Sequence, residues 1–206
     1  LLLAPRIQVG LDPSSRVDKR ELDRSDYTRS DERRYQLRFA AGVYHQPLFY
    51  REMRDFDGTL FTQRPAQTSY HIMAGGDYLF KIWDRPFKLN VDGYYKYLDN
   101  LVPYEIDNVR IRYYPQFTAT GYAYGLDTRI TGQFIRGLDS WLNVGLLRTE
   151  ENVAELPDQG FVPRPTDQRL NFSMFFQDEL PFNPTYKVNI NFVYGTGLRF
   201  GFPGNV

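Results

Sequence analysis

The stretch RPFKLNVDGYYKYLDN, Arg85 to Asn100, places Phe87, Leu89, Val91, Gly93, Tyr95 and Tyr97 at odd positions. Lys88, Asn90, Asp92, Tyr94 and Lys96 occupy the even ones. Successive side chains of a strand leave opposite faces, so this period of two predicts a strand with one apolar and one polar face. Two architectures use such a strand. In a sandwich the apolar face meets a second sheet, whereas in an outer-membrane barrel it meets lipid and the polar face lines a wet interior.

The same alternation recurs along the chain. Ile7 and Val9 oppose Arg6 and Gln8; Leu37, Phe39, Ala41 and Val43 oppose Arg38, Ala40, Gly42 and Tyr44. Tyr70, Ile72, Ala74, Gly76, Tyr78 and Phe80 oppose His71, Met73, Gly75, Asp77 and Lys81. Further on, Tyr122, Tyr124, Leu126, Ile130 and Phe134 oppose Asp127, Arg129, Thr131 and Gln133, and Leu142, Val144 and Leu146 oppose Asn143, Gly145 and Thr149. Leu170, Phe172, Met174 and Phe176 oppose Arg169, Asn171, Ser173 and Gln177, and Val188, Ile190, Phe192 and Tyr194 oppose Lys187, Asn189 and Asn191. With the opening segment these make eight strands in an all-β chain.

Their length and spacing favour the barrel. Strands of soluble proteins peak at about 5 to 6 residues, and a tilted membrane strand needs about 9 to 11. Tight turns at WDRP (83–86), RGLDS (136–140) and PFNP (181–184) alternate with long connections at 46–67, 100–117 and 153–167. Short turns on one rim and long loops on the other are the outer-membrane pattern. VPYEIDNVRIRYY (102–114) also reads as extended, but a ninth wall strand would move the tight turns onto alternate rims. It is therefore placed as an excursion of an extracellular loop, with Glu105, Asp107, Arg110 and Arg112 in water. The segment 11–34 is read as a charged, loosely ordered insertion on the periplasmic side.

Composition narrows the partners. The 206 residues carry 25 basic and 25 acidic side chains, and this balance argues against a nucleic-acid binder. Cys is absent, which removes disulfides and thiolate metal sites. Tyr and Phe number 16 each, and amphipathic rings suit membrane interfaces. No apolar run reaches the length of a spanning helix, and LLLAPR is too short for a signal peptide, so an export signal is expected upstream. GFPGNV follows the last strand without a returning one, so the eight strands either close a barrel or belong to a larger one.

Several long stretches are similar to a known family. GVYHQPLFYREMRD (42–55), RPFKLNVDGYYKYLDNLVPYEIDNVRIRYY (85–114), GYAYGLD (121–127), LLRTEEN (146–152) and FVPRPTDQRLNFSMFFQDELP (161–181) resemble the C-terminal barrel of TonB-dependent outer-membrane receptors of the Bacteroidota type. The resemblance implies an antiparallel transmembrane β-barrel of about 22 strands, of which this chain, a single domain over 1–206, supplies about eight. It also implies an N-terminal plug with a TonB box, neither of which is in this sequence. The implied partners are outer-membrane lipid, the missing plug, the TonB energy-transducing complex and a surface lipoprotein lid. The implied function is uptake of a scarce nutrient, an iron chelate, vitamin, peptide or glycan, across the bacterial outer membrane, with no enzymatic activity and no cofactor. A non-transporting outer-membrane barrel, an adhesin or scaffold closed by eight strands, is the alternative.

The loop 44–67 gathers the ligand-binding candidates Tyr44, His45, Tyr50, Arg51, Arg54 and Asp57 on the extracellular rim. Arg and aromatic side chains there suit an anionic chelate or a sugar, and rim packing is the plainer reading. The inward carboxylates Asp77, Asp92 and Asp127, with Lys88, Arg129, Arg169 and Lys187 as nearby cations, are read as a polar network of the lumen rather than as acid/base groups or a cation site. His45 and His71 are the only imidazoles and lack the convergent partners of a metal or nucleophilic site. GTG at 195–197 is read as a point of strand curvature, and PRPTDQR (163–169) as a stiff loop anchor. Tyr94, Tyr95, Tyr97, Tyr113, Tyr114, Tyr122, Tyr124 and Trp141 are assigned to an interface girdle.

Overall fold

The computed structural model of the chain describes residues 4–11, 34–107, 110–135, 138–156, 160–180 and 183–198. The strands in chain order are β1 (Arg6–Leu11), β2 (Arg34–Gln46), β3 (Gln67–Ile82), β4 (Arg85–Leu101), β5 (Tyr104–Asp107), β6 (Arg110–Tyr113), β7 (Ala119–Ile135), β8 (Leu138–Val153), β9 (Val162–Pro163), β10 (Leu170–Leu180) and β11 (Asn183–Gly195). One short helix, α1 (Tyr50–Met53), lies between β2 and β3. Among the described residues no helix is long and apolar enough to cross a membrane.

Eight strands form one antiparallel sheet in the order β1-β2-β3-β4-β7-β8-β10-β11, and β9 pairs with β8 at its end. Each of the eight expected alternating segments is one of these strands. The extended segment 102–114 stays out of the sheet: β5 and β6 pair with each other as a separate hairpin. Glu105, Arg110 and Arg112 are exposed there, as expected. The expected insertion 11–34 and the terminal GFPGNV fall almost wholly outside the described residues.

Register follows from the turns. Trp83 and Asp84 both take left-handed backbone, with φ of 54° and 55°, and this two-residue turn pairs Ile82 with Arg85. Positive φ at both central positions matches the right-handed twist of the flanking strands. Ile135 pairs with Leu138 and Leu180 with Asn183 at the same end of the sheet. The three long connections, after β2, β4 and β8, lie at the other end.

The pairing carries one face of each strand onto the same side of the sheet. Tyr35, Tyr78, Leu89, Ile130, Leu142, Met174 and Phe192 form one continuous apolar row. Nearer the long loops, Val43, Tyr70, Tyr97 and Tyr122 form another. No second layer of the described residues covers this face, and Ile72 remains 54% exposed. Among the described residues the buried hydrophobic side chains are few: Phe87, Leu101, Val102, Ala119 and Leu138.

The sheet is open. β1 and β11 stand at its two edges and do not pair with each other, so the described residues do not form a closed barrel. Each edge leaves a row of backbone donors and acceptors available to a further strand.

Candidate functional site

The polar face is built from two adjacent rows. One runs Gln36, Asp77, Asn90, Arg129, Asn143 and Ser173; the next runs Arg38, Gly75, Asp92, Asp127, Gly145 and Asn171. Asp77 accepts from Arg38 at 3.0 Å, from Lys88 at 3.0 Å and from Asn90 Nδ2 at 2.5 Å. Arg38 also reaches Asp92 at 3.2 Å. Gly75 stands between them on β3 and offers no side chain to block the span.

The other network candidates divide. Asp127 sits directly opposite Asp92 on the neighbouring strand. Arg129 lies over the Trp141 ring, its guanidinium carbon 5.4 Å from the centroid, and its Nε donates to Thr131 Oγ1 at 3.2 Å. Arg169 is not among these groups. It lies at the long-loop end, 2.7 Å from Asp167 and 3.7 Å from Glu150. Buried Asp167 accepts the Thr149 backbone N–H at 2.8 Å, which anchors the loop end on β8 and holds Arg169 there. Arg38 is a network member that sequence reasoning misses; its register opposite Gly75 is the signal.

The long-loop end is tied together by side chains. Arg64, from the connection after β2, donates to the Pro115 carbonyl, to the Phe117 carbonyl at 2.5 Å and to Thr118 Oγ1 at 3.0 Å. Desolvation lowers its pKa from the ordinary arginine value. Glu155, after β8, accepts the Thr118 N–H at 3.0 Å. Arg164 pairs with Glu151 at 2.9 Å and lies over the Tyr104 ring. All three long connections therefore meet.

The ligand-binding candidates fall into two neighbouring cavities. Tyr44 and His45 line one of about 830 Å3 at the end of the polar face, beside Thr68, His71, Tyr94 and Lys96. The Tyr44 ring packs 4.4 Å from that of His71, and His45 Nδ1 lies 3.0 Å from Thr68 Oγ1. Tyr50, Arg51 and Arg54 line the second, a groove of about 610 Å3 closed on its far side by Arg110 and Arg112 of β6. Helix α1 is the partition: its Glu52 lines the first cavity and accepts from Gln67 at 3.1 Å. Asp57 lines neither; its carboxylate accepts the Thr59 N–H at 2.8 Å, and this bond holds its pKa below the ordinary value.

Sequence alone makes Arg110 and Arg112 solvated loop residues. The alternation in Arg110–Tyr113 puts both on one face of β6, but that they face α1 depends on how two loops meet in space. Among the described residues no three His, Asp or Glu side chains converge as a metal site. Comparisons with protein-family models, with curated proteins and with solved structures give no match.

Proposed function

We propose that this chain is part of the wall of an outer-membrane β-barrel and belongs to a TonB-dependent receptor, whose long loops capture a scarce nutrient before uptake. The observation that carries the reading is the uncovered apolar face. From Phe87 to Tyr97 is ten residues along β4, which at about 3.3 Å each spans about 33 Å. A strand tilt of about 40° turns this into a band close to the about 25 Å height of a barrel's lipid-facing belt. Tyr70, Tyr97 and Tyr122 rim one border of that band, where amphipathic rings suit a water–lipid interface. The two sheet edges, unpaired among the described residues, fit a barrel that has more strands than these eight.

In this reading the long-loop end faces outside. The two cavities there are the capture site, and the Arg38, Asp77 and Asp92 group lines the interior. No catalytic step is assigned.

The test is the native polypeptide, extracted in detergent from isolated outer membranes and run in electrophoresis with and without prior heating, with its intact mass measured. The expected result is a chain considerably longer than 206 residues whose mobility changes on heating. Recovery in the soluble fraction would overturn the proposal. A heat-modifiable native chain of this length would replace the receptor with a closed, non-transporting scaffold.

A further inference from the structure

The groove between α1 and the β5–β6 hairpin concentrates one type of side chain. Arg51 and Arg54 stand on one bank, Arg110 and Arg112 on the other. Among the described residues that line it, Asp55 is the single carboxylate, and its Oδ1 already accepts the Phe56 N–H at 2.7 Å. Arg51, Arg54 and Arg110 form no ion pair with a described residue. The chain as a whole carries no net charge, so three guanidinium groups unpaired among the described residues, gathered in one groove beside Arg112, whose cross-strand neighbour is Glu105, are a local choice.

The walls add apolar surface. Tyr50 and Phe56 are 58% and 61% exposed, and the Arg112 guanidinium carbon lies 4.9 Å from the centroid of the Phe56 ring. That stacking holds the planar fork of Arg112 at the groove. The Phe56 ring in turn packs 6.2 Å from Tyr114, which fixes the first bank to the second. Guanidinium forks match carboxylate, sulfate and phosphate oxygens in pairs, so donors on both banks of one groove are suited to two or more such groups on one molecule.

We infer that this groove binds a polyanion, a ligand with at least two carboxylate, sulfate or phosphate groups that bridge α1 and the hairpin. The inference rests on the receptor reading and names the ligand class for it. Arg110 and Arg112 are specificity-determining residues in this account. An acidic oligosaccharide and a small polyphosphate share the required chemistry. A neutral sugar or an apolar ligand would leave Arg51, Arg54 and Arg110 without counter-charge among the described residues.

The experiment uses the full native protein in detergent and isothermal titration with trigalacturonate, pyrophosphate and, as the uncharged control, maltotriose. Saturable binding of at least one of the anions is expected, weakening as sodium chloride rises. In Arg54→Gln with Arg110→Gln, and separately in Arg51→Gln, binding should weaken about tenfold or more for each charge-assisted hydrogen bond removed. Lys187→Gln, which removes a charge at the opposite end of the sheet, should leave it unchanged. Binding of trigalacturonate alone identifies the acidic oligosaccharide as the source, and of pyrophosphate alone the polyphosphate. No saturable binding of either, equal binding of maltotriose, or binding indifferent to the arginine substitutions overturns the inference. Heat-modifiable mobility of the same samples separates the outcomes: a membrane barrel that ignores polyanions loses this inference only, and a soluble protein loses the receptor reading.

Discussion

The Arg38 guanidinium reaches the Asp92 carboxylate at 3.2 Å across an intervening strand, because the residue between them is Gly75. A Cβ added at Gly75 would collide with Asp92 Oδ1 and stand 2.7 Å from the Val91 carbonyl oxygen. Gly75→Ala is therefore expected to displace Asp92 from Arg38 and to cost about 1–3 kcal/mol through overpacking. Unfolding in urea measures the loss. Adding Asp92→Ala removes the side-chain clash but not the carbonyl one, so the double variant should recover part of the loss, a coupling that a mutant cycle resolves. Additive losses would mean that the glycine is not held open for this ion pair.

Arg64 is the clasp between the first two long connections. Removing it orphans the Pro115 and Phe117 carbonyls, so Arg64→Ala should destabilise the loop end by about 2 kcal/mol. Arg64→Lys should recover little, because an ammonium cannot present the fork that serves two carbonyls and a hydroxyl together. Hydrogen exchange read by mass spectrometry should quicken at 47–66 and 102–118 and remain unchanged in β3 and β4. Uniform quickening would show that Arg64 supports the whole sheet.

The strands and the loop contacts are unequally legible in the sequence. In β4 every second residue reports its face, and a two-residue turn at Trp83 leaves one register for β3 against β4. Hairpin β5–β6 is visible as extended sequence, and the parity of the turns keeps it out of the sheet. Arg64 and Thr118 are 54 positions apart on segments with no period, so nothing local announces their contact. Arg169 illustrates the same limit from the other side. Its type and parity suggest the polar face, and its place is decided by Asp167, two residues away and buried under the loop. Alternation specifies direction from a sheet, and it says nothing once the chain leaves the sheet.

The turn at Trp83 and Asp84 is strained for its residues. Both hold left-handed backbone, and the Trp83 side chain is 73% exposed, without packing to offset the cost. Asn-Gly suits this turn type, so Trp83→Asn with Asp84→Gly should stabilise the protein in detergent by about 1 kcal/mol. The midpoint of urea unfolding should rise. A fall would mean that the indole holds this end of the sheet through contact with the surrounding amphiphile, as an interface anchor does.

Leu126 lies midway along the apolar band, opposite Gly93 and Leu146, and is 42% exposed. If water bathes that face, Leu126→Arg is an ordinary surface substitution that changes stability by no more than about 0.5 kcal/mol. If lipid covers it, an arginine at mid-depth costs about 2–4 kcal/mol. Asn189→Arg is the matched control: Asn189 is exposed on the polar face of β11, where an added charge meets water in either case. Folding equilibria of the two variants in phospholipid vesicles should differ by the lipid penalty, with Asn189→Arg close to the parent protein. Equal, small effects would remove lipid from the apolar face, and with it the physical basis for reading this sheet as a barrel wall. A large penalty at Leu126 alone would identify that face's solvent without requiring any ligand, plug or transport assay.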